Sequence, residues 1–395
     1  MLTRLTLPQA AGPHATLACG AWLKNTACLL DGRDSLWSPL HGDLGDPANC
    51  DALDASLDAL VAHAGAAGAG RIAAVAHDLH PDFHSTRVAV AWADRLGVPA
   101  VGVQHHHAHV AAVQAECGHA GPVVGLALDG VGLGTDGTAW GGELLWVDGA
   151  AMRRLGHLPV LALPGGDAAA RDPWRMAAAL LHAAGRGGEI GPRLAPAVGE
   201  ASARGVQAML ERGLHCPATT GAGRWFDAAA GLLGICHRQT HEAEAAIALE
   251  RLAAQHLAEQ PALADDWHGD HGLDLLPLLP TLLACADGGQ AARGAALFHL
   301  VLADGLARAA AEAAAAHGLG AVVLSGGCFF NRVLAQRVSQ GLAARGLQVL
   351  RPPVLSCGDA GLALGQAWVA AQALQAPARA DFAPTQAAVE SMLET

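Results

Sequence analysis

The sequence predicts an α/β protein of two lobes with a long helical insertion in the second, and three observations lead there. Apolar β-branched segments alternate with amphipathic ones on either side of residue 118. A hairpin-like strand pattern occurs near Leu17 and again near Val123, and the stretch from Asp167 to about His317 is rich in Ala and Leu with helical patterning. A chain of 395 residues also exceeds one compact core, which favours two lobes, at 1–118 and 119–375.

In chain order, Leu17–Leu30 alternates short apolar stretches and breaks at Asp31-Gly32 as a hairpin does. Helices are expected near Cys50–His63 and Phe83–Leu96, with a strand at Ile72–Ala76 between them. Pro99–Gln104 is β-branched and apolar, so it ends a strand and starts a helix at His105. Val123–Asp129, Thr138–Trp140 and Leu144–Val147 then read as strand, turn, strand and strand, closing at Asp148-Gly149. Two hairpin sheets of this kind suggest an internal duplication. The insertion, 167–317, is interrupted by Pro- and Gly-containing turns near Gly185–Pro192 and Pro261–Gly272. Strands return at Ala321–Leu324 and Leu347–Leu350, a closing helix follows Gly361, and 376–395 reads as a loosely packed tail.

Apolar residues at 52% with only 15% charged residues and 49 glycines describe a folded protein with many tight turns, not a disordered one. A formal charge of -12 excludes a broad basic surface, so no nucleic-acid partner is expected. The nine cysteines are odd in number and lack a Cys-x-x-Cys pair, which fits reduced thiols in the cytoplasm. No secretory pattern opens the sequence, and the apolar run Leu275–Ala286 contains Pro277 and Pro280 and is too short to span, so no membrane association is expected. Gly-x-Ser-x-Gly is missing, which counts against an α/β-hydrolase, and no cysteine has the context of a nucleophile.

Residues 105–109 read His-His-His-Ala-His. His105 and His109 stand at i and i+4, so their imidazoles share one helix face, while His106 and His107 point elsewhere. Neutral imidazoles with a carboxylate from elsewhere suit iron or zinc alike. Asp129-Gly-Val-Gly-Leu-Gly-Thr-Asp-Gly137 follows a buried strand, and its glycines would let amides approach phosphate oxygens. Ser325-Gly-Gly327, before a helix near Asn331, offers a second such turn. Asp359 precedes the closing helix and is either a fourth metal ligand or a helix cap. Lys24 and Asn25 sit where the first hairpin turns toward the cleft, Lys24 being either a site cation or an exposed surface lysine. Pro164–Asp167 with Arg171 and Arg175 is suited to a phosphate or carboxylate, or is a solvent-facing helix start.

These motifs coincide in order with a family. Leu23-Lys-Asn-Thr26, His77–Asp82, Ser85-Thr-Arg87, Gln104–His109, Asp129–Gly137 with Trp140-Gly-Gly-Glu143, Leu163–Arg175, Gly223-Arg-Trp-Phe-Asp227, Ser325–Gly327 with Asn331, and Asp359–Gln366 together resemble the hydrogenase-maturation carbamoyltransferases, the HypF family. The resemblance runs from about residue 15 to 373 and implies a two-lobed actin-like ATPase, sugar-kinase type of fold. It implies a carbamoyltransferase that moves a carbamoyl group from carbamoyl-adenylate to the C-terminal cysteine of a HypE-like maturation protein, on the way to the cyanide ligand of a [NiFe] site. O-carbamoylation of a small-molecule hydroxyl and a non-catalytic nucleotide-binding scaffold are the rival readings.

By position, His105, His109, Asp129 and Asp359 would be ligands of a divalent metal, iron or zinc. Lys24, Gly132, Gly134, Gly137, Gly326, Gly327 and Asn331 would line ATP or carbamoyl-adenylate, with Mg. Lys24, His105, His109 and Asp129 would carry the chemistry, and Asp167, Arg171 and Arg175 would meet the phosphate or carbamoyl group. The acylphosphatase, zinc-finger and adenylate-forming regions that precede this part in full-length members are not matched, so a separate adenylate-forming protein is an expected partner. Val131, Gly358 and Glu244 depart from the Thr, Asn and Gln usual in the family.

Overall fold

The computed structural model describes residues 2–66, 71–261, 263 and 272–375. Strands β1 (Thr3–Thr6), β2 (Ala15–Ala18), β3 (Cys28–Asp31), β4 (Asp34–Trp37), β5 (Ile72–Asp78) and β6 (Ala100–Val103) form one sheet in the order β1-β4-β3-β2-β5-β6. The Asp31-Gly32 break is a tight turn between β3 and β4, with Gly32 at φ 57°. The strands β2 and β3 pair antiparallel, Thr16 opposite Leu30, but are joined by the long loop 19–27. That loop carries Lys24. Strand β1 escaped the sequence reading because it is short, polar and largely exposed.

The second sheet contains β7 (Val123–Leu133), β8 (Ala139–Asp148), β9 (Ala151–His157), β10 (Leu161–Ala162), β11 (Ala218–Thr219), β12 (Ala321–Ser325) and β13 (Gln348–Leu350). Its core runs β9-β8-β7-β12-β13, with β7, β8 and β9 antiparallel and β12 and β13 parallel to β7. In the first sheet β4-β3-β2-β5-β6 has the same order and the same directions. The duplication expected from two hairpins is therefore a shared strand plan, and the α/β class holds. The segments Thr138–Trp140 and Leu144–Val147, read as separate strands, are one continuous β8.

Between the sheets lie two helices, His105–Cys117 and Leu362–Gln375. The first is buried from His105 through Glu116, so it shows no apolar stripe and its polar residues need partners inside the protein. Gln114 donates to Gly121 O and Glu116 accepts from the amides of Val354 and Leu355. The second helix packs with Ala18, Cys28, Ala76 and Ala108, so it belongs to the core of the first lobe although sequence order groups it with the second. Gly365 lies directly on the backbone of Ala108.

The insertion is helical throughout most of its length, and Ala291–His317 is its spine. By length and composition that helix could cross a membrane, yet 78% of its most apolar window is buried inside the fold, as a core helix requires. The turn expected at Pro261–Gly272 and the tail 376–395 fall largely or wholly outside the described residues.

His299, on this helix, is fully buried: its Nδ1–H donates to Ala295 O and its Nε2 accepts from Asn331 Nδ2, an arrangement only the neutral ring satisfies. Burial depresses its pKa from 6.5 to about 4. Below pH 6.5 the unfolded chain takes up a proton that the folded chain refuses, so stability present above that pH is lost as pH falls toward 4. The loss from this group approaches about 1.4 kcal/mol per pH unit. Urea midpoints measured between pH 4.5 and 7 should therefore fall less steeply with acidification for His299→Gln than for the wild type.

Candidate metal centre

Gln104 follows β6 and starts the histidine helix by capping it, its side chain accepting from the amide of His107 at 2.9 Å. One turn apart, the rings of His105 and His109 have centroids separated by 4.8 Å. Asp129 sits where the β7–β8 ladder is interrupted between Leu128 and Gly132, and this bulge turns its carboxylate toward the histidines. Asp359 arrives from the turn Asp359–Gly361 that leads into the closing helix. Its carboxylate faces the histidines and does not cap the helix. The Nε2 of His109 lies 3.0 Å from Asp129 Oδ2 and 3.4 Å from Asp359 Oδ1, and the Nε2 of His105 lies 3.6 Å from each. All four donor atoms fall within 4.8 Å of one another.

Burial alone would drive the protons off both imidazoles, but Asp129 and Asp359 outweigh it and hold His105 and His109 above the ordinary histidine value. The same ion pairing holds Asp129 well below, and Asp359 below, the ordinary carboxylate value against burial. A divalent cation on neutral imidazoles would balance the same two carboxylates, so charge and donor types fit a metal. One further feature decides the fit. His105 Nε2 is buried without a hydrogen-bond partner, while its Nδ1–H donates to Asp78 Oδ2 at 2.7 Å. A carboxylate behind a histidine fixes the tautomer and aims the other nitrogen at a metal.

Asp78, only 1% exposed at the end of β5, was not singled out by sequence reasoning; the available signal was a carboxylate at a strand end within His77–Asp82. Asp78→Asn should weaken metal binding about 10- to 100-fold, measured by competition with a chelator. Unchanged affinity would make Asp78 a merely structural residue.

His106 and His107 stay out of the centre, as the helix geometry requires. His106 packs beside Trp140 and bonds Gln104 Nε2, and His107 bonds Gly149 O. Lys24 is half-exposed, with φ 46°, and its Nζ pairs with Glu242 at 2.7 Å. Burial lowers its pKa, but Glu242, Asp359 and Asp129 raise it above the usual value, which places it in the field of the centre. Its loop is fixed by Asn25, which donates to Cys19 O and Ala21 O, and by Thr26 donating to Ala360 O; Gln366 clasps Gly20. The Lys24 loop and the Asp359 segment are thus one unit.

The remaining expected site residues take the following places. The presumed glycine loop is mostly strand. Gly132 lies in β7 against the rings of His105 and His106, and Gly137, at φ 76°, serves the turn. Gly134 donates its amide to Thr138 O under Trp140, and Gly326 donates its own to Cys357 O, so neither amide is available to phosphate. Gly327 does face the site, beside Asp129 Oδ1. Asn331 uses both ends of its amide inside the protein, capping the helix Arg332–Ala343 and bonding His299. Arg175 is taken up by Asp172 and Pro164 O, while Asp167 and Arg171 are exposed at the two ends of the short helix Asp167–Arg171. Among the described residues, none of these three shares an ion pair with the four-donor group.

The chain is similar to known proteins. Residues 11–116 match the model described as "HypF Kae1-like domain", and residues 125–366 match "Carbamoyltransferase, Kae1-like Domain, second subdomain". A "Carbamoyltransferase HypF homolog" of Cupriavidus necator is 62% identical over 93% of this chain and 94% of its own length. Carbamoyltransferase HypF2 of the same organism is 50% identical and HypF of Rhizobium leguminosarum bv. viciae 42%; the chain spans about half the length of each, 47% and 46%. A crystal structure of full-length HypF in the phosphate- and nucleotide-bound form, 28% identical, superposes with a TM-score of 0.84 over 95% of this chain and 58% of that one.

Proposed function

The chain belongs to the HypF carbamoyltransferase family, and from that premise we propose that it transfers a carbamoyl group from carbamoyl-adenylate to the C-terminal cysteine of a HypE-like protein in [NiFe]-hydrogenase maturation. The observation that carries this reading is the close-set His105–His109–Asp129–Asp359 group with Asp78 behind His105 and Lys24 in the field of its carboxylates. These four residues would hold iron or zinc. A metal bound there would supply a Lewis acid for the carbamoyl carbonyl or its phosphate link.

The rest of the chemistry falls to the chain and its partner. Lys24 faces the incoming anion, exchanging Glu242 for a phosphoryl oxygen of the nucleotide. The acceptor thiolate, its proton gone to solvent, forms the C–S bond while the C–O bond to the nucleotide phosphate breaks and AMP leaves with the electron pair. The chain's own nearby thiols are poor candidates for this role. Burial pushes Cys328 well above the ordinary thiol value and Cys357 up to about 11, so both stay protonated. That supports a nucleophile brought by another protein. Nine free cysteines also fit work in the reducing cytoplasm.

The test is to incubate the chain with acceptor protein, ATP, Mg and carbamoyl phosphate, with and without a separate adenylate-forming protein, and to read the acceptor by intact mass. The expected result is a carbamoyl adduct on the C-terminal cysteine when the adenylate former is present. No adduct, even with carbamoyl-adenylate supplied directly, overturns the reading.

A further inference from the structure

On the second-lobe side of the centre, the helix Ala222–Leu232 begins against the Asp129 bulge. The approach is close: a Cβ on Gly221, the residue before the helix, would stand 2.3 Å from Gly130 O and so overlap it, one on Gly223 would stand 3.1 Å from Gly130 Cα, and one on Gly130 would stand 3.7 Å from Arg224 Nη2. The first turn of that helix therefore sets the Arg224 guanidinium beside the residue that follows Asp129. One turn later Asp227, 2% exposed, pairs its Oδ2 with Arg224 Nη2 at 3.1 Å, and Gln239 Nε2 donates to its Oδ1. Arg224 is itself largely buried, with 16% of its side chain exposed, and neither its Nε nor Asp227 Oδ2 has a hydrogen-bond partner, the 3.1 Å contact between the two residues being an ion pair without hydrogen-bond alignment.

A buried guanidinium that meets its carboxylate only as an ion pair, with its Nε unpartnered, is costly unless something completes its fork. Cys328, which follows Gly327 on the other side of Asp129, feels Asp129, Arg224 and Asp227 together, so these groups share one neighbourhood. Burial pushes the Asp227 carboxyl up, and Arg224 and Gln239 only partly offset this, leaving it at about 6.

We propose that Arg224 is a substrate-anion anchor of the transferase site: held from behind by Asp227, it grips a phosphoryl oxygen against the Asp129–Gly130 bulge while Lys24 faces the same group from the first lobe. Arg224 would touch substrate, and Asp227 is a positioning residue. The phosphoryl class rests on the carbamoyl-adenylate reading above, since an acyl phosphate and its AMP product both present such oxygens.

The experiment titrates the full, metal-loaded chain calorimetrically with AMP and, separately, with inorganic phosphate. Arg224→Gln is expected to weaken AMP binding about 10- to 100-fold. Arg224→Lys keeps the charge but loses the fork and should fall between, with its urea midpoint close to wild type. Asp227→Asn should weaken AMP binding less than Arg224→Gln does. Phosphate bound with the same dependence on Arg224 would place the phosphoryl group on the arginine, whereas AMP binding alone would mean that the nucleoside must also be held. The proposal is overturned if the wild type binds neither probe, or if both arginine variants bind AMP as the wild type does. A wild type that binds AMP through Arg224 but carbamoylates no acceptor would defeat the transferase reading and leave the anchor standing.

Discussion

His109→Ala is expected to lose its metal and to reduce carbamoyl transfer by more than about 100-fold. His109 brings the closest contact to both carboxylates, 3.0 Å to Asp129 and 3.4 Å to Asp359, so its removal strips a donor and also a counter-charge from two part-buried acids. Alanine is the best helix former, so the helix itself should persist. Elemental analysis of the purified variant and intact mass of the acceptor are the readouts, with circular dichroism to show that the helix content is kept. A variant that retains full metal and full transfer would remove the four-residue centre from the chemistry.

Gly365→Ala should destabilise the fold by roughly 1–3 kcal/mol and weaken the metal centre with it. Helix propensity alone argues the other way, favouring alanine by about 1 kcal/mol. Packing decides the sign, because a Cβ at 365 would overlap the carbonyl of Ala108, a rigid backbone group that cannot swing aside as a side-chain end can. Ala108 immediately precedes His109, so the collision moves the histidine helix as well as the closing one. Urea midpoints and chelator competition measure the two effects. A more stable variant would mean that the two helices do not meet this closely.

The pair His105 and His109 was legible because a helix places i and i+4 on one face whatever surrounds it. Asp129 and Asp359 were legible as carboxylates at the ends of apolar segments, but their convergence was not, since nothing local in a chain relates residues 230 positions apart. Asp78 was passed over for the same reason, its role arising only from the pairing of β5 with β6 and the ring it meets. The glycine run misled in the opposite direction. Gly-rich sequence usually signals a loop, but here Gly132 lies in a strand that passes the histidine helix and Gly134 lies under Trp140, and both are small because of what packs on them. Asn331 likewise looked available to a ligand until its two amide atoms found a helix terminus and His299.

By itself the sequence determined the α/β class, the helical insertion and the histidine box, which depend on local periodicity and spacing, and it carried the ordered motifs of the family resemblance. Only the tertiary structure decided which groups meet at the centre, which amides are already bonded, and that the last helix returns to the core of the first lobe. The physical reason is that periodicity sets which way a side chain leaves its own helix or strand, whereas its partners are chosen by the packing of distant segments. A ligand set, a buried counter-charge and an unpartnered guanidinium exist only after that packing is complete.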